Sequence, residues 1–319
     1  MEKKVVQIKD INKEAKDDFR GFVEACEKTY HNRVEGIADY IADHIDDIDI
    51  VLLSGPSSSG KTTTSHILIE KLEEKGIRSL TVSTDDFFID RDKVAFKKNG
   101  LRDYEALEST NIKLLKSCVR ELLTKREAFF PRYDFLTGES IRMGKKVYLR
   151  EKEIIIIEGI HALNPVITED PIFQKSLKLY VCVFTNFAFQ GRIYLTAREL
   201  RLTRRILRDC MTRGATPDYS ISMWKNVLDG ENKYIKPNIG NADFVIDTTH
   251  AYEPLIYKDL ILPKLYACEN PVPGNLISDY EMFESEDAHV IPKDSLLNEF
   301  VIFEEWNTFY LHVQTVNNH

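Results

Sequence analysis

The chain has 319 residues, of which 43% are hydrophobic and 29% are charged, and its formal net charge is −8 at pH 7. This composition is that of an ordinary globular protein and excludes a low-complexity or fibrous chain. The negative total argues against a general nucleic-acid binder, which normally carries a basic surplus.

The cysteines and the apolar runs indicate the compartment. The five cysteines are scattered and no two form a C-x-x-C pair, so we expect reduced thiols and neither disulfides nor zinc. The first residues lack the apolar core of a signal peptide. No apolar run approaches the roughly 20 residues that span a bilayer. These features predict a cytoplasmic protein with no membrane partner.

Residues 1–46 are predicted to form a helical N-terminal arm. Apolar residues recur at helical spacing from Phe19 to Tyr30 and again from Val34 to Ile45. The sequence favours an arm that packs on the domain that follows. An exposed interaction helix is the alternative.

A phosphate-binding loop is predicted at residues 55–62, which read Gly-Pro-Ser-Ser-Ser-Gly-Lys-Thr and fit G-x-x-x-x-G-K-[ST]. The apolar run 48–53 predicts a buried strand before the loop, and the run 63–75 predicts a helix after it. The glycines let backbone N–H groups point at phosphate oxygens, and the helix adds its positive N-terminal end. A purely structural turn is the alternative. The candidate ligands of a nucleoside triphosphate are Gly55, Ser57, Ser58, Ser59, Gly60, Lys61, Thr62 and Thr63, and the Thr62 hydroxyl is also a candidate Mg²⁺ ligand.

Two adjacent carboxylates follow the next predicted strand, at 79–83. The sequence there continues as Thr-Asp-Asp-Phe-Phe, with the acids at Asp85 and Asp86. Ligands of open α/β sheets bind at the carboxyl ends of the strands. Asp85 is therefore the candidate catalytic base and a second metal ligand, with Asp86 as a further candidate; a turn cap is the structural alternative.

A carboxylate also ends the most apolar run of the chain. Four isoleucines at 154–157 precede Glu158, which predicts a strand buried within a parallel sheet. With a phosphate-binding loop upstream, Glu158 is the candidate acid that holds Mg²⁺, directly or through water. The aromatic-rich segment 129–149 predicts a small β excursion over a pocket, where Tyr133 stacks on a planar ligand or simply packs.

A predicted helix within about 196–216 carries four arginines on one face, at i, i+3, i+4 and i+7. Like charges at this spacing repel, so the face needs a polyanion or a set of carboxylates as its partner. The sequence predicts a lid whose arginines stabilise a transferring phosphoryl group. A solvated basic face is the alternative. The four residues are Arg201, Arg204, Arg205 and Arg208, of which Arg208 is a candidate nucleotide ligand.

The predicted elements add up to one kinase-like domain with two appendages. The fold class is α/β: a P-loop NTPase three-layer sandwich with a parallel sheet, a small β lobe and a helical Arg-rich lid. The domain spans 47–268. An acidic tail, 269–319, is predicted to pack on it, with short apolar pieces at 296–297 and 300–303.

The motifs described above, in their order along the chain, resemble those of the uridine kinase/phosphoribulokinase family over residues of about 45–268. The tail at 292–300 resembles the C-terminal end of the bacterial uridine kinase-like branch, which is often found behind a TGS domain. No TGS domain precedes residue 11, so we expect a short or trimmed form of that branch. The motifs that carry the resemblance are the phosphate-binding loop, Thr84-Asp85-Asp86-Phe87-Phe88, Tyr133-Asp134-Phe135, Glu158-Gly159-Ile160-His161-Ala162-Leu163-Asn164-Pro165 and the arginine-rich segment.

The resemblance implies ATP and Mg²⁺ as cofactors and a role for each matched residue. It implies Asp85 as the general base near Mg²⁺, Asp103 as a ligand of ribose hydroxyls, and Tyr133 as the contact of the nucleobase. It also implies that Arg201 and Arg204 touch the 5′-position of the acceptor and the phosphates.

Two departures from the family pattern concern the acceptor site. Gly138 stands where true uridine kinases usually carry a histidine that helps to read the pyrimidine, and Phe88 replaces a common tyrosine in the predicted substrate site. Loss of a base-reading hydrogen-bond donor weakens discrimination between acceptors. The phosphate-transfer machinery is therefore predicted to be intact, while the acceptor is open.

The predicted function is ATP-dependent phosphotransfer to the 5′-hydroxyl of a nucleoside of the uridine or cytidine type, a small-molecule substrate. One alternative is a kinase for another small hydroxylated acceptor, as in phosphoribulokinase. A second is a nucleotide-binding regulatory protein that transfers no phosphate, against which the joint presence of Asp85 and Glu158 argues. The lack of a clear N-K-x-D motif disfavours a switch GTPase. A homo-oligomer is compatible with the sequence.

Overall fold

The computed structural model describes residues 4–135 and 137–301. The rest of the predicted tail, including the end of the apolar piece 300–303, lies outside the described residues, as do residues 1–3 of the arm. The strands are β1 (Lys4–Gln7), β2 (Ile50–Ser54), β3 (Ser79–Ser83), β4 (Glu127–Asp134), β5 (Glu139–Tyr148), β6 (Ile154–Glu158), β7 (Ser176–Cys182), β8 (Thr185–Phe189), β9 (Arg192–Leu195) and β10 (Phe244–Asp247). The α-helices are α1 (Ile8–Asp43), α2 (Lys61–Glu74), α3 (Ile112–Lys125), α4 (Pro165–Thr168), α5 (Ala197–Thr212), α6 (Pro217–Gly230), α7 (Glu253–Tyr266) and α8 (Leu276–Tyr280).

A five-stranded parallel sheet, in the order β10-β7-β2-β6-β3, forms the centre of the fold. Strands β2 and β6 are buried along their whole length. Their side chains alternate between two cores: Ile154 and Ile156 join the cluster that contains α1, α2, α5 and α7, and Ile155 and Ile157 join the cluster that contains α3 and β4. Helices on both faces explain the unbroken isoleucine run. The predicted three-layer α/β sandwich is confirmed.

Two smaller sheets flank the central one. Strands β4 and β5 pair as an antiparallel hairpin, which is the predicted β lobe. A three-stranded sheet, β1-β8-β9, was not predicted from the sequence. It arises because strand β7 ends at Cys182, after which the Asp247 carboxylate accepts the Phe184 N–H at 3.1 Å and the Thr185 hydroxyl at 3.0 Å. These two bonds redirect the chain into β8.

The N-terminal arm forms a helix that lies within the predicted range 1–46 and is broken once. Helix α1 begins at Ile8, and Asp18 has non-helical angles (φ −160°, ψ 84°). The Asp18 carboxylate accepts the Gly21 N–H at 3.0 Å, so it caps the second half of the helix. Tyr30 on the buried face hydrogen-bonds the Thr64 hydroxyl at 2.7 Å, which ties the arm to α2.

The tail packs on the same core as the arm. Leu296, Leu297 and Phe300 are fully buried in the cluster that α1 and α2 share. The Ser295 and Tyr252 hydroxyls both donate to Glu27 of α1 at 2.5 Å. Arm, domain and tail thus share one hydrophobic cluster, and the boundaries at 46/47 and 268/269 stay predictions. Within 4–135 and 137–301, no helix is both long and apolar enough to cross a membrane.

Helix α5 does not present its arginines on an open face. Arg204 is completely buried and forms a two-bond pair with Glu253, at 2.7 Å from Nε and 2.8 Å from Nη2. Its Nη2 also donates to the Thr248 carbonyl oxygen at 2.9 Å. A guanidinium held in this way has no donor group facing solvent, so Arg204 packs in the core and does not reach a nucleotide. This geometry contradicts the contact with phosphate that the resemblance implied for Arg204.

We expect Glu253→Ala to lower the free energy of unfolding by about 3–5 kcal/mol, because it leaves the Arg204 guanidinium buried without its counter-charge. Urea denaturation followed by circular dichroism measures the change. Asp229→Ala is the control, since Asp229 forms an exposed pair with Lys225 at 3.6 Å, and its loss should cost about 0.5 kcal/mol or less. A loss below about 1 kcal/mol for Glu253→Ala would contradict the assigned role of the pair.

Candidate active site

The pairing of three central strands brings the predicted site residues to one edge of the sheet. Glu158 of β6 is opposite Leu53 of β2 on one side and Ser83 of β3 on the other. All three strands are parallel, so their carboxyl ends meet. The loop 55–60, Glu158 and the turn Thr84–Phe87 are therefore neighbours.

The loop between β2 and α2 has the geometry of a phosphate cradle. Gly60 has φ +86°, and a Cβ at Gly55 would lie 2.0 Å from the Val181 carbonyl oxygen, so both positions require glycine. The hydroxyls of Ser58 and Ser59 are buried and have no hydrogen-bond partner among the described residues. Buried polar groups without partners are costly. A phosphate group in this loop would satisfy them, so the residues present fit a nucleotide.

One serine hydroxyl links the Glu158 carboxylate to the backbone of Asp85. Ser83 Oγ donates to Glu158 Oε1 at 2.5 Å and accepts the Asp85 N–H at 3.4 Å. Burial, and next the negative charge of Asp85, raise the pKa of Glu158 well above its ordinary value. A divalent cation bound here would stabilise the ionised form of Glu158 and so lower its pKa again. In the described part of the chain no group of three or more His, Cys, Asp or Glu residues could hold a metal.

The Asp86 carboxylate is less available to a ligand than the carboxylate of Asp85. Its Oδ1 accepts the Tyr133 N–H at 3.4 Å, which fixes it to β4. Burial raises the pKa of Asp86 to about 6. The structure thus gives Asp86 a contact with the β lobe, whereas Asp85 lies half-buried beside Ser83 and Glu158.

Two arginines of α5 reach the phosphate-binding loop. Arg205 Nη1 donates to the Ser57 hydroxyl at 2.9 Å, and Arg201 Nη1 donates to the Ser57 carbonyl oxygen at 3.4 Å. Arg201 is also buried against Glu231, which neutralises it. Lys61 Nζ lies 3.3 Å from the Pro56 carbonyl oxygen of the same loop. Arg205 and Arg201 are thus the two arginines of this helix that contact the loop among the described residues.

Three guanidinium groups share one carboxylate beside the loop. Asp209 lies 3.3 Å from Arg205, 2.8 Å from Arg208 and 3.7 Å from Arg213. The positive charge of Arg208, together with burial, lowers the pKa of Arg213 to about 10. Three guanidinium groups and one carboxylate together carry a net charge of +2, which favours the binding of a polyanion. Sequence reasoning missed Arg213, which lies beyond the end of α5; its spacing of four residues from Asp209 was the available signal.

An aromatic cluster borders the arginines. The rings of Phe88, Tyr133 and Phe135 lie 5.1–6.4 Å apart in edge-to-face contacts. Arg213 lies 5.2 Å from the centre of the Phe135 ring. The predicted residues Phe88 and Tyr133 therefore come together, at a wall that could accept a planar group.

Asp103, predicted to hold ribose hydroxyls, forms an ion pair with Lys97 at 3.4 Å. Its half-buried neighbour Glu105 is instead within the electrostatic reach of the active-site cations. Burial raises the pKa of Glu105, and the positive charges of Arg205 and Lys61 oppose that shift. Sequence reasoning did not single out Glu105, and nothing in its spacing would have done so.

Comparison with known proteins gives matches over the same region. Residues 50–253 match the model of the Phosphoribulokinase / Uridine kinase family. A uridine kinase from Bacillus pumilus is 29% identical over 198 residues, which are 62% of this chain and 85% of that protein. Uridine kinase-like protein 5 of Arabidopsis thaliana is 27% identical over 198 residues, and there the chain spans only 38% of the relative's length. A solved structure, D-glycerate 3-kinase from Cryptococcus neoformans, is 15% identical with a TM-score of 0.46, over 65% of this chain and 89% of that one.

The matched region holds the phosphate-binding loop, the carboxylates that end β3 and β6, and the arginines of α5. It covers well over half of the chain. The family's members are kinases that act on small hydroxylated substrates. The chain belongs to the phosphoribulokinase/uridine kinase family of P-loop kinases.

Proposed function

We propose that the protein transfers the γ-phosphoryl group of ATP to the 5′-hydroxyl of a nucleoside of the uridine or cytidine type. The observation that carries the proposal is the meeting of three features at one sheet edge. They are the phosphate cradle, the Asp85–Ser83–Glu158 chain of hydrogen bonds, and the aromatic wall formed by Tyr133 and its neighbours.

The loop and the first turn of α2 hold the triphosphate. Backbone N–H groups of residues 57–63 donate to phosphate oxygens, and the helix end supplies partial positive charge. Thr62 and Glu158 would hold Mg²⁺, and Asp85, whose negative charge acts on Glu158, would share it. When bound, this ion neutralises charge on the phosphates.

Asp85 is the general base. Its carboxylate accepts the proton of the attacking hydroxyl, and Ser83 Oγ fixes the backbone of Asp85 by accepting its N–H. Lys61, Arg201 and Arg205 offset the negative charge that develops on the transferred group. Arg208 and Arg213 add positive charge behind them. Arg204 is left out of this set because Glu253 holds it in the core.

The residues of the proposed acceptor site favour a nucleoside over a sugar phosphate as the acceptor. The edge-to-face rings of Phe88, Tyr133 and Phe135 offer apolar surface for a planar base. The surplus of positive charge around Asp209 is the observation that favours an anionic acceptor of the phosphoribulokinase type instead. A regulatory protein without phosphotransfer would have no use for a base beside the metal acid.

Asp85→Asn should lower kcat by about 10²–10⁴-fold, because the amide cannot take the hydroxyl proton. Its Kd for ATP without Mg²⁺, measured by calorimetry without acceptor, should stay within about threefold, since the loop donors are untouched. Asp229→Asn, on an exposed helix face, is the matched control and should behave as wild type.

The assay measures ATP consumption against nucleosides and sugar phosphates. Turnover of uridine or cytidine with 5′-monophosphate as the product supports the proposal. If both nucleosides are inert while a sugar phosphate is phosphorylated, the acceptor assignment is wrong. Full activity of Asp85→Asn would overturn the base assignment alone.

A further inference from the structure

Arg91 occupies the space that a side chain at position 138 would fill. A Cβ built on Gly138 would lie 2.6 Å from Arg91 Nε and 2.8 Å from its Cζ, and Gly138 has φ +79°. The Arg91 N–H donates to the Gly138 carbonyl oxygen at 2.7 Å, so the two loops are also joined through their backbones. A guanidinium from another loop thus fills the space beside Gly138.

Arg91 is fixed against the aromatic wall. Its Nη2 donates to the Phe135 carbonyl oxygen at 2.6 Å, and its guanidinium also hydrogen-bonds the Tyr133 side chain. Beyond these contacts the side chain is exposed. It therefore keeps N–H groups available to a ligand that lies on Tyr133 and Phe135.

We propose that Arg91 reads the polar edge of the acceptor and sets its specificity; this proposal rests on the nucleoside function above. A guanidinium has five N–H donors and no acceptor. It matches a ring edge that offers two adjacent acceptor atoms, as the N3 and O2 atoms of cytosine do. It does not match the N3–H of uracil, which is a donor. The site is therefore a cytidine-type site that takes uridine less well.

The test compares kcat/KM for cytidine and uridine in the wild type, Arg91→Lys and Arg91→Ala. We expect the wild type to prefer cytidine about tenfold or more. In Arg91→Ala the preference should fall toward one, through a higher KM for cytidine at nearly unchanged kcat. Arg91→Lys keeps the charge without the planar guanidinium, so its ratio should lie between those of the wild type and Arg91→Ala. Lys98→Ala, an exposed change in a neighbouring loop, should leave the ratio unchanged.

An unchanged KM for ATP shows that each variant is folded. If Arg91→Ala keeps the wild-type ratio, or if the wild type prefers uridine, Arg91 does not set specificity. If neither nucleoside is phosphorylated, the nucleoside function itself is wrong, which is a different result from turnover with unaltered selectivity.

The tail contacts the first turn of α2, where the phosphate donor is proposed to bind. The Thr63 hydroxyl and N–H both donate to Glu299 Oε2 of the tail, at 2.8 and 3.4 Å. Thr63 belongs to the first turn of α2, whose N–H groups have no partner within the helix. Leu296 packs so closely on Gly60 that a Cβ there would lie 2.6 Å from its Cδ1. The tail therefore covers the end of the helix that the donor phosphates need.

We infer that Glu299 and the donor phosphates compete for the two donor groups of Thr63, so that the tail restrains nucleotide binding. One hydroxyl proton cannot be donated to a carboxylate and a phosphate together, and two anions this close repel. The segment itself is anchored, because Leu296, Leu297 and Phe300 are fully buried. Binding thus requires the Glu299 side chain to turn away while the segment stays in place.

Glu299→Gln should lower the Kd for MgATP about fivefold or more, as measured by calorimetry without acceptor. Asp294→Asn removes an exposed carboxylate of the same segment and should leave the Kd unchanged. In a Thr63→Val background, Glu299→Gln should lose most of its effect. An unchanged or higher Kd for Glu299→Gln, at an unaltered melting temperature, would show that Glu299 does not compete with the nucleotide.

Discussion

The parallel register of β2, β6 and β3 is the constraint on which the candidate site depends. It places Leu53, Glu158 and Ser83 side by side, and the loop and the carboxylates follow at the strand ends. Apolar side chains on both faces of β2 and β6 hold that register, because each strand packs into two cores at once. The chemistry is thus positioned by residues that take no part in it.

Charge is the second organising factor, since a chain with a net charge of −8 keeps a local surplus of arginine at its active site. Some of those arginines are neutralised in the core, as the pair of Arg204 with Glu253 shows. Others share a carboxylate, as Arg205, Arg208 and Arg213 share Asp209. The first arrangement stabilises the fold, while the second leaves a surplus of positive charge beside the loop that is proposed to bind phosphate.

The sequence predicted the elements with local signals and missed those set by distant contacts. The loop 55–62 and the strand ending at Glu158 have short, physically determined patterns, so their positions could be read directly. Helical spacing placed Arg204 beside Arg201 but could not show that Glu253, 49 residues away, would hold it in the core. Strand β1 and the contact of Glu299 with Thr63 depend equally on chain segments that meet only in three dimensions.

The most direct test is a crystal structure of the protein with a non-hydrolysable ATP analogue, Mg²⁺ and cytidine. We predict that an Asp85 carboxylate oxygen lies about 2.6–3.2 Å from the nucleoside 5′-oxygen, with the triphosphate held by N–H groups of residues 57–63. This prediction would be contradicted by a complex in which Asp85 points away from the acceptor while another side chain contacts the 5′-hydroxyl.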